Sequence, residues 1–185
     1  MNGGGVMKKV LVISTSLRPG SNSDLLADAF AAGAGEAGHE VEKVSLRGRE
    51  LRFCTGCLVC QKTQACVIRD DAPEIVQKMK GSDVVAFATP VYYYEMSGQM
   101  KTLLDRANPL FPSDYAFRDI YLLASAAEDD GRAVDGALHG LEGWVRCFEK
   151  CRVAGVLRGV GVTEPGEVLG RPALLDAARN LGKQL

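Results

Sequence analysis

Four of the six cysteines in this 185-residue chain lie within thirteen residues, as Cys54, Cys57, Cys60 and Cys66 in the spacing CxxCxxCxxxxxC. Thiolates bind metals and undergo redox chemistry, so this density indicates a metal site or a redox function. Zinc sites generally use two cysteine pairs separated by a longer loop. Cysteines at successive three-residue steps are more typical of iron–sulfur ligation, with Cys66 as the fourth ligand. The residues alone leave three alternatives open: an iron–sulfur cluster, free or catalytic thiols, and zinc.

A second polar segment, Ser14–Ser23, lies between an apolar run and an amphipathic stretch. It is rich in hydroxyl groups, and Gly20 permits a tight turn before the predicted helix. The N–H groups and dipole at the start of a helix form an anion site. Neither GxGxxG nor GxxxxGK[ST] occurs there, so the segment suits a monophosphate. The candidate phosphate ligands are Ser16, Arg18, Ser21, Asn22 and Ser23. The alternative is that Ser21 or Asn22 only caps the helix.

Two further loops follow apolar runs. Thr89–Ser97 contains three successive tyrosines after a proline, and aromatic faces with backbone N–H groups can hold a planar ring. The candidates there are Pro90, Val91, Tyr92, Tyr93 and Tyr94. The alternative is that one or two of these tyrosines pack in the core or at a subunit interface. The loop Ser125–Gly131 is small and then acidic, so Ser125 either contacts the far edge of the ring or belongs to a helix cap.

The elements that position these loops alternate between apolar runs and amphipathic stretches. The predicted strands are Lys9–Thr15, Glu40–Ser45, Val84–Thr89, Asp119–Ser125 and Val153–Val160, and the predicted helices are Ser23–Ala37, Pro73–Lys80, Ser97–Arg106, Val134–Cys151 and Arg171–Leu185. This alternation predicts an α/β fold, a doubly wound three-layer sandwich with a parallel sheet. Ligands bind such sheets at the carboxyl ends of the strands. Cys147 and Cys151 lie four residues apart on a predicted helix, and burial explains them.

Length and composition predict one domain over residues 1–185, with a cysteine-rich insertion at residues 47–71 and a disordered lead-in at residues 1–7. The net charge of −1 and the scattered basic residues argue against nucleic acid as a partner. No apolar run approaches the ~20 residues of a membrane span. The start of the chain lacks the apolar core of a signal peptide. These features predict a cytoplasmic protein with reduced thiols and no membrane partner.

Three stretches carry a resemblance to a known family. ISTSLRPGSNS at residues 13–23, ATPVYYYEMSGQMKTLLDR at residues 88–106 and the strand–helix order resemble the flavodoxin-like NADPH-dependent FMN reductases. CTGCLVCQKTQACVIRDD at residues 54–71 resembles the cysteine motif of the iron–sulfur flavoproteins in that superfamily. The loop SAAEDDG lacks the glycine-rich run expected of the iron–sulfur branch, and residues 136–161 are more similar to the plain reductases.

The resemblance implies a flavodoxin-like five-stranded parallel sheet of order 2-1-3-4-5, tightly bound FMN, and a homodimer or homotetramer. By position, Ser16, Arg18, Ser21, Asn22 and Ser23 would bind the FMN phosphate, and residues 90–94 would contact the ring and ribityl chain. In the iron–sulfur branch, the four clustered cysteines would ligate a [4Fe–4S] cluster.

The function expected from these features is that of an FMN-dependent oxidoreductase. It would pass electrons from NAD(P)H through FMN to a small acceptor such as a quinone or a flavin. No side chain is assigned a catalytic role, because flavin N5 itself accepts and gives the hydride. One alternative is an iron–sulfur flavoprotein that carries electrons to a redox protein. A third is a zinc-stapled binding module without flavin. The sequence names neither the acceptor nor the preferred nicotinamide cofactor.

Overall fold

The computed structural model describes residues 6–185, so residues 1–5 of the lead-in predicted at residues 1–7 lie outside the described part. The central sheet contains five parallel strands in the order β2-β1-β3-β5-β6. A short sixth strand, β4, pairs antiparallel with the end of β3. The strands are β1 (Lys9–Ser14), β2 (Glu40–Ser45), β3 (Val84–Tyr92), β4 (Glu95–Met96), β5 (Asp119–Ser125) and β6 (Arg152–Gly159). The predicted order 2-1-3-4-5 is therefore confirmed once the hairpin strand β4 is left out of the count.

Helices cover both faces of the sheet. They are α1 (Asn22–Glu36), α2 (Val59–Thr63), α3 (Ala72–Gly81), α4 (Gly98–Arg106), α5 (Asp135–Val145) and α6 (Pro172–Lys183). Successive residues of a strand point to opposite faces, and the buried parts of β1 (Val10–Ile13) and β3 (Val84–Ala88) are apolar at every position. Val10 and Val12 of β1 therefore pack with α1 and α6, while Leu11 and Ile13 pack with α3, α4 and α5. None of the helices within residues 6–185 combines the length and the apolar composition needed to span a bilayer.

Helix α5 is shorter than the sequence predicts. The prediction extended it to Cys151, whereas the helix ends at Val145. The N–H of Phe148 then donates to the Val145 carbonyl in a tight turn. This turn brings the Phe148 ring 4.6 Å from the Trp144 ring, inside an aromatic cluster. Cys147 is exposed as a result, contrary to the expectation of burial.

Helices α1 and α6 approach closely through glycine. A Cβ on Gly33 would lie 1.9 Å from the Arg179 carbonyl oxygen, whereas a Cβ on Gly35 would meet nothing within 4 Å. We expect Gly33→Ala to lower the free energy of unfolding by about 1–3 kcal/mol, because the α6 backbone must move. Gly35→Ala is the matched control and should raise it by ~0.5–1 kcal/mol through helix propensity. Urea denaturation measures both, and equal effects would contradict the close approach.

Candidate functional site

The carboxyl edge of the sheet contains a cavity of about 220 Å³. The loops that follow β1 and β5 line it together with the last residues of β3 and the segment that follows β6. Eight of the predicted cofactor ligands meet there: Ser16, Arg18, Ser21, Asn22, Pro90, Val91, Tyr92 and Ser125. Ala127, Val162, Thr163 and Pro165 complete the lining. Sequence reasoning missed Val162, Thr163 and Pro165 because it did not extend the strand-end rule to the loop after the last strand. Ala127 lies in the loop Ser125–Gly131, where only Ser125 was named.

The loop after β1 has the backbone of an anion site. Gly20 adopts a φ of +62°, and Ser21 caps α1 by accepting a hydrogen bond from the Asp24 N–H at 3.2 Å. The first N–H groups of a helix lack intrahelical partners, so they are available to a ligand. Ser23 is fully buried and is absent from the cavity lining. The capping alternative for Ser21 is therefore observed, and it leaves the helix N-terminus open to an anion.

Two predicted phosphate ligands already have protein partners. The Asn22 amide donates to the Glu164 carbonyl oxygen at 2.9 Å and accepts from the Val168 N–H at 3.0 Å. The Arg18 guanidinium donates to the Thr163 carbonyl oxygen at 2.9 Å and pairs with the Glu164 carboxylate at 3.1 Å. These contacts fix the segment after β6 against the loop after β1. Both side chains therefore shape the cavity wall, and each keeps at least one N–H donor that a ligand can recruit.

Buried hydroxyl groups connect the loop after β1 to the end of β3 and to the start of α4. The Thr15 hydroxyl donates to the Ala88 carbonyl oxygen and lies 3.0 Å from the Ser97 hydroxyl. The Ser97 N–H donates to the Thr89 hydroxyl at 3.0 Å, and that hydroxyl donates to the Pro90 carbonyl oxygen. Buried polar groups that are satisfied by one another fix local geometry. The network holds the Pro90 side of the cavity in register with the loop after β1.

The tyrosines form the turn of the β3–β4 hairpin. Tyr92 pairs with Glu95, so Tyr93 and Tyr94 occupy a two-residue turn with φ of 50° and 65°. Both turn positions require the left-handed region, which is costly for aromatic residues and is concentrated at ligand-binding sites. Tyr92 lines the main cavity, and the two turn residues line a neighbouring cavity of about 230 Å³. Tyr93 is 99% exposed, which makes it free to cover a ligand or a second copy of the chain.

Helix α5 supports this hairpin from behind. A Cβ on Gly136 would lie 2.3 Å from the Tyr94 carbonyl oxygen, whereas a Cβ on Gly143 would meet nothing within 4 Å. We expect Gly136→Ala to displace the hairpin and to weaken FMN binding about tenfold, or ~1.4 kcal/mol. Fluorescence titration of the apoprotein with FMN measures this effect. Gly143→Ala, on the same helix, should leave the affinity unchanged, and a similar loss in both variants would show that the hairpin is not responsible.

The cysteine segment, which comprises residues 53–69, lies outside this cavity, between β2 and α3. Cys54 and Cys57 are exposed, Cys66 is half-buried, and Cys60 is buried where the Asn108 amide donates to its sulfur at 3.2 Å. Within residues 6–185, no three Cys, His, Asp or Glu side chains converge closely enough to hold a metal ion. The donor set matches a [4Fe–4S] cluster in number and type, since four thiolates are required. Binding a cluster would require the thiols to move together.

A second cavity, of about 440 Å³, separates the cysteine segment from the end of α5. Cys54, Leu58, Trp144 and Cys147 contribute to its wall. The remaining cysteine, Cys151, lies away from it, and burial raises the pKa of its thiol to about 11. A thiol with this pKa stays protonated near neutral pH and is inert. Two of the three exposed cysteines, Cys54 and Cys147, therefore lie at this cavity.

One buried ion pair lies at the base of the cysteine segment. Arg106 and Asp70 form it with side chains that are 0% exposed. Burial favours the neutral carboxyl, but Arg106 and the N–H groups of Arg52 and Ala72 outweigh that effect and hold the pKa of Asp70 below its ordinary value. Burial also lowers the pKa of Arg106, but Asp70 and Cys66 outweigh it and raise that pKa. The pair is therefore fully charged at neutral pH.

Comparisons with known proteins agree with this architecture. The family model described as NADPH-dependent FMN reductase matches residues 8–148. An iron–sulfur flavoprotein of Methanocaldococcus jannaschii is 42% identical over 102 residues, which cover 55% of this chain and 53% of that protein. The chain thus matches about half the length of such curated relatives.

Two other proteins are similar over almost the whole chain. A putative NAD(P)H-dependent FMN-containing oxidoreductase of Bacillus subtilis is 26% identical over 187 residues, covering 95% of this chain and 97% of its own. The structure of an NAD(P)H:quinone oxidoreductase from Methanothermobacter marburgensis superimposes with a TM-score of 0.73 at 20% identity, over 96% of both chains. At that identity the superposition establishes the flavodoxin-like fold alone.

Proposed function

Because the chain belongs to the NADPH-dependent FMN reductase family, we propose that it is an FMN-dependent oxidoreductase that takes electrons from NAD(P)H. The electrons pass to a small acceptor such as a quinone or another flavin. The observation that carries this proposal is the cavity at the carboxyl edge of the sheet, where an anion site, an apolar wall and a tyrosine edge occur together. Doubly wound sheets bind nucleotides at this edge, where the strand order reverses.

The residues around the cavity fit FMN from end to end. The N-terminus of α1 and the Arg18 side chain would hold a terminal phosphate. No pyrophosphate motif is present, which favours FMN over FAD. Pro90, Val91 and Tyr92 would contact the ring and the ribityl chain from the β3 side. Ser125 lines the same cavity from the neighbouring loop and would contact the ring from there.

Bound FMN supplies the hydride- and electron-transfer chemistry, which a protein of ordinary side chains lacks. The chain itself anchors the phosphate, orients the ring and limits access of water. Tyr92 and the hairpin turn behind it would form the edge against which NAD(P)H and the acceptor bind in turn. No acid–base pair is required of the protein, so the side chains named here are binding residues.

The direct test is the identity of the flavin. Heat-denatured protein should release FMN, identified by chromatography, and the apoprotein should bind FMN in preference to FAD. Recovery of FAD, or failure to bind any flavin on reconstitution, would overturn the proposal. A protein that binds no flavin but holds zinc at the cysteines would instead support the zinc-stapled binding module.

A second candidate function is that of an iron–sulfur flavoprotein that carries single electrons to a redox protein. The four clustered thiols favour it, as does the 42% identity to a protein described as an iron–sulfur flavoprotein. Cys54, Cys57, Cys60 and Cys66 would hold a [4Fe–4S] cluster, which would supply one-electron transfer. The cavity beside Cys54 and Cys147 is the place where a redox partner would approach these thiols.

The assembly and setting proposed here are those of a homodimer or homotetramer in the cytoplasm, with residues 1–185 forming a single FMN-binding domain. Exposed aromatic side chains support self-association, because Tyr93 and Phe53 are 99% and 79% exposed on the described surface. Such residues are enriched at interfaces. The six cysteines are unpaired in the structure, which agrees with a reducing compartment.

A further inference from the structure

The cysteine segment is a loop whose two ends are hydrogen-bonded to each other. These paired ends, residues 50–52 and 70–71, are called its neck. Just outside the loop, the Glu50 N–H donates to the Asp71 carboxylate at 2.7 Å, and the Asp71 N–H donates to the Glu50 carbonyl oxygen at 3.0 Å. The Arg52 N–H donates to the Asp70 carboxylate at 2.7 Å. These bonds join residues that are 18–21 positions apart. A loop whose ends are held together in this way is ordered without a metal.

Arg106 closes the neck from a different element, the last residue of α4. Its guanidinium donates to both carboxylate oxygens of Asp70, at 2.5 and 2.9 Å. It also donates to the carbonyl oxygens of Arg52, at 2.8 Å, and Ile68, at 3.3 Å. One side chain thus contacts the chain where it enters the loop and where it leaves. Only the planar, five-donor fork of arginine can make all these contacts at once.

The other end of α4 contacts residues that adjoin the lining of the flavin cavity. Ser97 caps the helix by accepting from the Met100 N–H and contacts the buried hydroxyls of Thr15 and Thr89. Helix α4 spans nine residues, or about 13 Å at 1.5 Å per residue. A rigid element therefore joins the cavity wall at one end to the neck of the cysteine segment at the other.

We propose that Arg106 is the positioning residue of the cysteine segment, and that its ion pair with Asp70 holds the two ends of this segment at a fixed place relative to the flavin cavity. The functional use of this placement rests on the proposed function, since it sets the distance between the two redox sites. The contacts of Arg106 with Arg52, Ile68 and Asp70, called the clasp here, do not depend on that function, because the protein alone makes them.

The test is the alkylation rate of individual cysteines, measured by mass spectrometry on reduced, iron-free protein. Cys60 is only 8% exposed and should react slowly in the native chain. In Arg106→Gln its rate should rise roughly tenfold or more, because breaking a buried pair strongly favours the open loop. Cys151, which lies outside the segment, should keep its native rate. Flavin content should also remain native, because Arg106 does not line the cavity.

Two further variants complete the design. Arg69→Gln removes an exposed arginine of the same segment and should leave Cys60 protected. Arg106→Lys keeps the charge without the fork and should give an intermediate rate, which preserves the test should Arg106→Gln fail to fold. An unchanged Cys60 rate in both Arg106 variants would overturn the proposal. An equal rise at Cys60 and Cys151 would also overturn it, by showing a general loss of stability. Absence of flavin from the native protein would instead contradict the proposed function and leave the clasp standing.

Discussion

Cys57→Ala should abolish iron binding by the cysteine segment and leave bound flavin in place. After anaerobic reconstitution, the iron–sulfur candidate predicts about four iron and four labile sulfide per chain in the native protein, because a [4Fe–4S] cluster requires four thiolates. With Cys57 removed, three clustered thiols remain, and no His, Asp or Glu joins them in a metal-binding group within the described residues. The fold should persist, because the core of a chain of this size does not depend on a metal.

Cys147→Ala is the control for this experiment. Cys147 faces the same cavity as Cys54 but lies outside the four-cysteine segment, so its replacement should leave iron and sulfide content unchanged. If the native protein binds flavin and has reductase activity but takes up no iron on reconstitution, the result would contradict the iron–sulfur candidate. The plain FMN reductase would then remain as the function.

Arg18→Ala should weaken FMN binding by roughly ten- to a hundredfold, the scale of a charge-assisted hydrogen bond of ~1.5–3 kcal/mol. The reason is the position of the guanidinium in the cavity beside the start of α1, where the phosphate is expected. The measurement is the dissociation constant of FMN from the apoprotein, by fluorescence titration.

Glu164→Gln separates the two roles that Arg18 can have. The Glu164 carboxylate accepts from Arg18 and is itself 75% exposed. If Arg18 binds the phosphate, removal of this competing negative charge should leave FMN affinity unchanged or higher. If Arg18 serves only to tether the segment after β6, both variants should weaken FMN binding to a similar extent. An unchanged FMN dissociation constant in Arg18→Ala would show that Arg18 is only a solvated surface group.

The sequence was sufficient to predict the layout of the fold. Val84–Ala88 is apolar at every position, which is typical of a strand covered on both faces, and the structure places it at the centre of the sheet. The positions of the loops followed from the strand-end rule, and eight predicted ligands do line one cavity. The fold is confirmed because it depends on local periodicity and on general topology, whereas the assignment of the lining residues to a cofactor stays a prediction.

Contacts between distant segments could not be predicted in this way. Asn22 was a plausible phosphate ligand from its position, but its amide is hydrogen-bonded to residues 142 and 146 positions away. The role of Arg106 was equally hidden, because its partners lie 36–54 positions earlier in the chain. The end of α5 was misplaced because the burial of Phe148 in the aromatic cluster outweighs the local helical pattern.

The central claim is that this cavity binds FMN and that the bound flavin accepts electrons from NAD(P)H. Anaerobic titration of the flavin-loaded protein with NADPH or NADH, followed by visible absorption, tests it most directly. We expect one of the two nucleotides to bleach the flavin fully with roughly one equivalent per bound FMN, since hydride transfer delivers two electrons. A quinone added afterwards should restore the oxidised spectrum. A flavin that remains oxidised in the presence of excess NADPH and NADH would contradict the account.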